Sequence, residues 1–202
     1  SAQGIISTYL LRPSTFNDNP SDVTATLLSV KGLWQKIKAD KDKSQMNSLP
    51  SKVRTLVKSN FDIIAFSPDE TKILYKASAS ASLSSVINPP LIGTNSTPEE
   101  RDLKQGSVYV YDMKEDRNYN IKDELDEEIE LLKWLPDSEH LILVHNKNID
   151  IMDYDGTNST KIYAGPFIDK YVFPWTDTSR IVILTDLGNS DSPANLYTIS
   201  LK

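Results

Sequence analysis

The chain has 202 residues, 22 of them basic and 28 acidic, for a formal net charge of −6, with no cysteine and two histidines. That length gives room for one or two domains with a sizeable core. The missing thiols exclude a disulfide framework, a thiolate nucleophile and a cysteine zinc site, and two histidines would need carboxylate help to hold a metal. An acidic chain without a basic block is a poor partner for nucleic acid, and no run of about 18 apolar residues is present to span a membrane.

The opening Ser1-Ala2-Gln3-Gly4 has no Met and neither the basic nor the apolar region of a signal peptide. It is expected to be a processed or artificial end on a domain of a longer protein. Gly4 to Leu11 reads as a strand and Phe16 to Pro20 as a loop. Val23, Leu27, Val30, Trp34 and Ile37 fall at helical spacing and predict one apolar stripe, with Asn19 as N-cap and Pro20 and Asp22 in the first turn. Thr24, Thr26 and Gly32 weaken that helix, and a hairpin through Lys31-Gly32 is the alternative. Leu49, Val53, Leu56 and Val57 predict a second short helix with Pro50 near its start. Lys36, Lys38, Lys41, Lys43, Lys52, Arg54 and Lys58 outnumber Asp40 and Asp42 over 36–58, whereas 115–130 is strongly acidic. The two stretches read as solvated faces, or as a docking pair.

From residue 61 onward one pattern recurs. Its copies are Phe66-Ser67-Pro68-Asp69-Glu70-Thr71-Lys72-Ile73-Leu74-Tyr75, then Trp134-Leu135-Pro136-Asp137-Ser138-Glu139-His140-Leu141-Ile142-Leu143. The third is Trp175-Thr176-Asp177-Thr178-Ser179-Arg180-Ile181-Val182-Ile183-Leu184, one residue shorter between aromatic and Asp. Pro68 and Pro136 preset φ, and Asp69, Asp137 and Asp177 bond their own downstream backbone, so each copy predicts a hairpin. A further strand follows each copy, at 107–112, 148–153 and 195–200. The second copy then turns through Asp155-Gly156 and re-enters at 160–164. Four short antiparallel strands in about 40 residues is the size of a propeller blade. Asp137 and Asp177 lie 40 residues apart but Asp69 and Asp137 lie 68 apart. The excess corresponds to a loop insertion from Ser78 to Gly106, rich in Ser, Ala and Pro. Long loops inside compact domains are often functional.

The blocks FSPDETKILY and WLPDSEHLILV…NIDIMDYDGTNSTKIY resemble the TolB-like or PD40 class of bacterial WD40-like propeller repeats, over about residues 61–202. The family pattern has Gly after the turn Asp, where this chain has Glu70, Ser138 and Thr178. The insertion and the preceding LPSKVRTLV are similar to propeller regions of PEGA-containing bacterial envelope proteins. The resemblance implies a mainly β fold: a partial or small propeller of about three four-stranded blades, at 61–122, 125–165 and 170–202. Residues 1–60 are then an N-terminal strand plus helical cap, or a divergent fourth blade.

Individual residues offer little chemistry. His140 stands where Lys72 and Arg180 stand in the other copies and reads as structural, and His145, five residues on, faces the other side of a regular strand. The Asp153–Asn158 segment lacks the distal Glu of a calcium loop and reads as a turn with Gly156 at positive φ. No nucleophile elbow, phosphate loop or dinucleotide fingerprint is present. Tyr75, Tyr109, Tyr111, Trp134, Tyr163, Phe173 and Trp175 are expected between blades more than on a ligand platform. The expectation is a non-catalytic binding or scaffold module of a bacterial cell envelope, extracytoplasmic and without cofactor or metal. Its partner would be a protein or envelope polymer, met through Asn88, Pro89, Pro90, Ile92 and Asn95 of the insertion. Removing that insertion is expected to leave thermal stability nearly unchanged. The alternative is a glycan- or peptide-active propeller, or the gating propeller of a larger hydrolase.

Overall fold

The computed structural model describes residues 7–11, 17–92, 95–123, 129–168, 171–189 and 191–201, with the backbone only at 129 and 130. The chain divides into two compact units, Ser1–Leu49 and Pro50–Lys202.

In the first unit β1 (Tyr9–Leu10) pairs antiparallel with β2 (Ser21–Asp22). A 3-10 turn at Thr24–Thr26 leads into α1 (Leu27–Ser48). The helix therefore begins later than the pattern predicts. The Asp22 carboxylate accepts the Thr24 N–H at 2.8 Å, and the Thr24 hydroxyl accepts the Thr8 N–H at 2.7 Å. These local bonds hold 21–24 out of the helix, so Asn19 is no N-cap. Lys31-Gly32 lies inside α1, which removes the hairpin alternative. The expected stripe is not a buried one: Trp34 and Ile37 are more than half exposed. Of the expected strand from Gly4, residues 4–6 lie outside the described residues.

The second unit starts with α2 (Ser51–Asn60), which buries Val53, Leu56 and Val57. Three antiparallel sheets follow. Sheet I orders β3 (Phe61–Phe66), β4 (Lys72–Ala77), β7 (Val108–Asp112) and β8 (Arg117–Lys122). Between β4 and β7 the insertion adds a small hairpin of β5 (Ala81–Ser82) and β6 (Asp102–Leu103). Sheet II orders β9 (Ile129–Trp134), β10 (His140–His145), β11 (Asn148–Asp153) and β12 (Thr160–Ala164). Sheet III has three strands, β13 (Val172–Pro174), β14 (Arg180–Thr185) and β15 (Asn195–Ser200). The protein is mainly β, built of small antiparallel sheets.

The sheets stack through alternate residues of their strands. Leu74, Val108 and Val110 of sheet I meet Trp134, Leu141, Leu143 and Met152 of sheet II. Ile142, Val144 and Ile149, of opposite parity, meet Val172, Ile181 and Ile183 of sheet III. Sheet II is thus apolar on both faces. Each fully buried Leu, Ile or Val contributes roughly 1.5–3 kcal/mol. On the other face of sheet I, Tyr75, Tyr109 and Tyr111 are buried, with the Phe61 and Tyr75 rings stacked.

The three hairpins superimpose in register. Lys72 faces Asp112, His140 faces Asp153 and Arg180 faces Ser200. The turns close through Ser67 N–H to Lys72 O, Leu135 N–H to His140 O and Trp175 N–H to Arg180 O. This pairing corrects the sequence alignment. Trp175 takes the place of Ser67 and Leu135, and Pro174 that of Phe66 and Trp134, so the third copy is not shorter. Turn geometry, not the aromatic, sets the repeat.

Candidate interaction site

The turn aspartates act as expected of such turns. Asp69 accepts the Ser67 and Thr71 hydroxyls and the Thr71 N–H. Partial burial opposes ionisation there, but these bonds and nearby Lys72 prevail and hold the carboxyl at about 2. Asp137 accepts the N–H of Glu139 and of His140. Asp177 accepts the Ser179 N–H and hydroxyl and is held below the usual carboxylate range by them. Pro68 and Pro136 precede the first two. Adjacent turns also touch: the Asp69 N–H donates to the Ser138 hydroxyl at 3.0 Å, and buried Lys72 donates to Ser138 O and Glu139. His140 lies between Asp137 and Asp153, while His145 pairs with Asp150. Among the described residues no group of three or more His, Asp or Glu is placed to hold a metal.

The insertion is bound to the β7–β8 turn. Asp116, at φ 55° and buried, accepts the N–H of Val86 at 2.7 Å and of Ile87 at 2.8 Å on one oxygen. Its other oxygen accepts the Tyr111 hydroxyl at 2.7 Å and lies 3.4 Å from Arg101. Arg101 also donates to the Asp116 carbonyl and pairs with Glu99. Arg117 donates to the carbonyls of Asn95 and Thr97, and Asn118 to that of Glu100. Leu83 and Leu103 are buried beneath.

A second anchor reaches sheet II. Asp155 accepts Asn95 Nδ2 at 2.8 Å and the Thr97 hydroxyl at 2.6 Å on one oxygen, and the Thr157 hydroxyl and N–H on the other. Burial works against its charge, yet these donors outweigh it and depress its pKa. Gly156 follows at φ +81°, and a Cβ there would stand 2.8 Å from the Asn120 carbonyl. Glycine is required by both the turn and the close approach.

No protein-family model matches this chain, and no curated protein matches it significantly.

The expected contact residues divide into two groups. Asn95 is held internally: its backbone N–H donates to Glu115 and its side chain to Tyr154 and Asp155. Asn88, Pro89, Pro90 and Ile92 are exposed, Ile92 completely, and Leu91 beside it is 48% exposed. A cavity of about 130 Å³ opens under this tip, lined by Ile87, Pro90, Leu91, Arg101 and Arg117 among others. Leu91, Asp116 and Arg101 escape sequence reading, since an Asp in a polar turn carries no mark of the loop it holds. Of the aromatics, Tyr75, Tyr109, Tyr111 and Trp134 are buried, whereas Phe173 and Trp175 stand exposed on sheet III.

Proposed function

We propose that the chain is a non-catalytic binding or scaffold module of the bacterial cell envelope, built of blades of the TolB-like or PD40 propeller type. It meets a protein or envelope polymer through the tip of the insertion. The recurrence of turn, register and strand order through three stacked sheets supports the blade reading. The observation that carries the contact is the fully exposed Ile92 beside Leu91, on a loop whose base is fixed by Asp116 and Asp155. A contact side chain on a fixed base loses little conformational freedom on binding. Among the described residues no helix is long and apolar enough to cross a membrane.

The test is cosedimentation with purified bacterial peptidoglycan and with solubilised envelope proteins, comparing the parent with Leu91→Asp and Ile92→Asp. Both variants should keep the parent's circular dichroism and melting temperature and lose binding by about tenfold or more. Binding equal to the parent's would remove the tip from the contact.

A further inference from the structure

Lys72 of sheet I and His140 of sheet II hold the same register, opposite Asp112 and Asp153. At the junction of sheets I and II the lysine crosses. Its ammonium donates to the Ser138 carbonyl at 3.2 Å and to Glu139 at 2.9 Å, both in the next turn, and lies 4.4 Å from the centre of the Tyr154 ring. The Lys72 side chain is only 6% exposed. Burial opposes its charge, but Glu139, Asp112 and Asp69 outweigh burial and raise its pKa. The first junction is built around an ammonium on an alkyl stem.

The junction of sheets II and III repeats these surroundings without the lysine. Thr178 stands where Ser138 stands, each following its turn aspartate at positive φ. Leu201 stands where Tyr154 stands, since its N–H donates to Ser179 O as the Tyr154 N–H donates to Glu139 O. Asp137 and Asp153 repeat Asp69 and Asp112. His140, however, stays on its own sheet. Its Nδ1 lies 2.8 Å from Asp137 and its Nε2 3.4 Å from Asp153, and 42% of its side chain is exposed. Beside it opens a cavity of about 350 Å³, walled by Leu135, Ile151, Ile162 and Leu201 on the apolar side and by Asp137, Asp153 and Thr178 on the polar side. Its size and its mixture of apolar wall and few polar groups are those of a ligand pocket.

We propose that this cavity takes a lysine side chain of a partner polypeptide, which supplies from outside the ammonium that Lys72 supplies at the first junction. The ammonium rests against Asp137, Asp153 and the Thr178 carbonyl, and the alkyl stem against the apolar wall. An acidic wall beside an apolar one fits a long stem that ends in a charge. The residue that makes the two junctions differ is His140, a residue of sheet II. The cavity shares no residue with the insertion tip, so failure of either reading leaves the other standing.

Amide NMR on isotope-labelled protein, titrated with the methylamide of Nα-acetyl-lysine, tests this. The amides of His140, Asp153, Thr178 and Leu201 should shift and saturate at millimolar ligand. The same compound acetylated at Nε keeps the stem and loses the charge, and should bind about tenfold more weakly or worse. His140→Lys should fill the cavity from within, raise the melting temperature and weaken binding about tenfold or more. Asp153→Asn keeps the shape of the wall and should weaken binding about threefold or more. The absence of a saturable shift at these amides, or equal binding of the two compounds, overturns the proposal. So does parental affinity in either variant.

Discussion

Glu70, Ser138 and Thr178 occupy one position of the repeated turn, directly after its aspartate, at φ of 60°, 66° and 58°. The left-handed region costs an L-residue roughly 1–2 kcal/mol, most for a β-branched one, and glycine avoids that cost while losing more chain entropy on folding. The absence of glycine there is thus a local strain, and its relief differs by position. Thr178→Gly should stabilise the protein by roughly 0.5–1 kcal/mol. Ser138→Gly should not, because the buried Ser138 hydroxyl accepts the Asp69 N–H and its removal leaves that donor unpaired. Urea unfolding of the two variants checks this. Equal effects would mean that φ alone governs the position and that the turn-to-turn bond contributes nothing.

At the scale of elements, the insertion is a strut between two sheets and not a detachable loop. Removing the Asp116 carboxylate strands two backbone N–H groups and leaves Arg101 and the Tyr111 hydroxyl without their buried acceptor. Breaking one side of a buried charged network costs roughly 3–5 kcal/mol. Asp116→Ala should fall in that range by urea unfolding, with earlier proteolysis between 84 and 98. A loss below about 1 kcal/mol would return the insertion to the expected role of a loop that leaves stability untouched. Much of the element order is legible beforehand, because the strands are short runs of aliphatic, β-branched and aromatic residues and the Asp turns mark the hairpins. Asp116 is not, since nothing local distinguishes a turn aspartate that bonds its own neighbours from one that bonds residues 29 and 30 positions away. α1 fails in another way. Its helical spacing is real, but spacing says which side chains share a face and not whether anything covers them. Trp34 and Ile37 remain in solvent.

For the unit from Pro50 onward, stability depends on the stacking order. Sheet II has apolar contacts on both faces, with sheet I through Leu141 and Leu143 and with sheet III through Ile142 and Val144. Sheet III buries one face, through Val172, Ile181 and Ile183, and leaves Phe173, Trp175 and Leu196 exposed. A layer held on one side opens at lower free energy than the layer it rests on. Opening sheet III alone uncovers one interface, whereas opening sheet II uncovers two. Native-state hydrogen exchange at rising denaturant should therefore separate the strands. The Ile142 amide of β10 should exchange only through global unfolding. The Ile183 amide of β14 should exchange through a smaller, less denaturant-sensitive opening. Ile142→Ala, which cuts into the interface from the sheet II side, should lower both free energies by roughly 2–5 kcal/mol. Leu141→Ala, facing sheet I, should lower the global value and leave the sub-global opening of β14 in place. If β10 and β14 exchange with the same free energy and denaturant slope in the parent, sheets II and III form one cooperative unit. The open face of sheet III would then carry no penalty in stability.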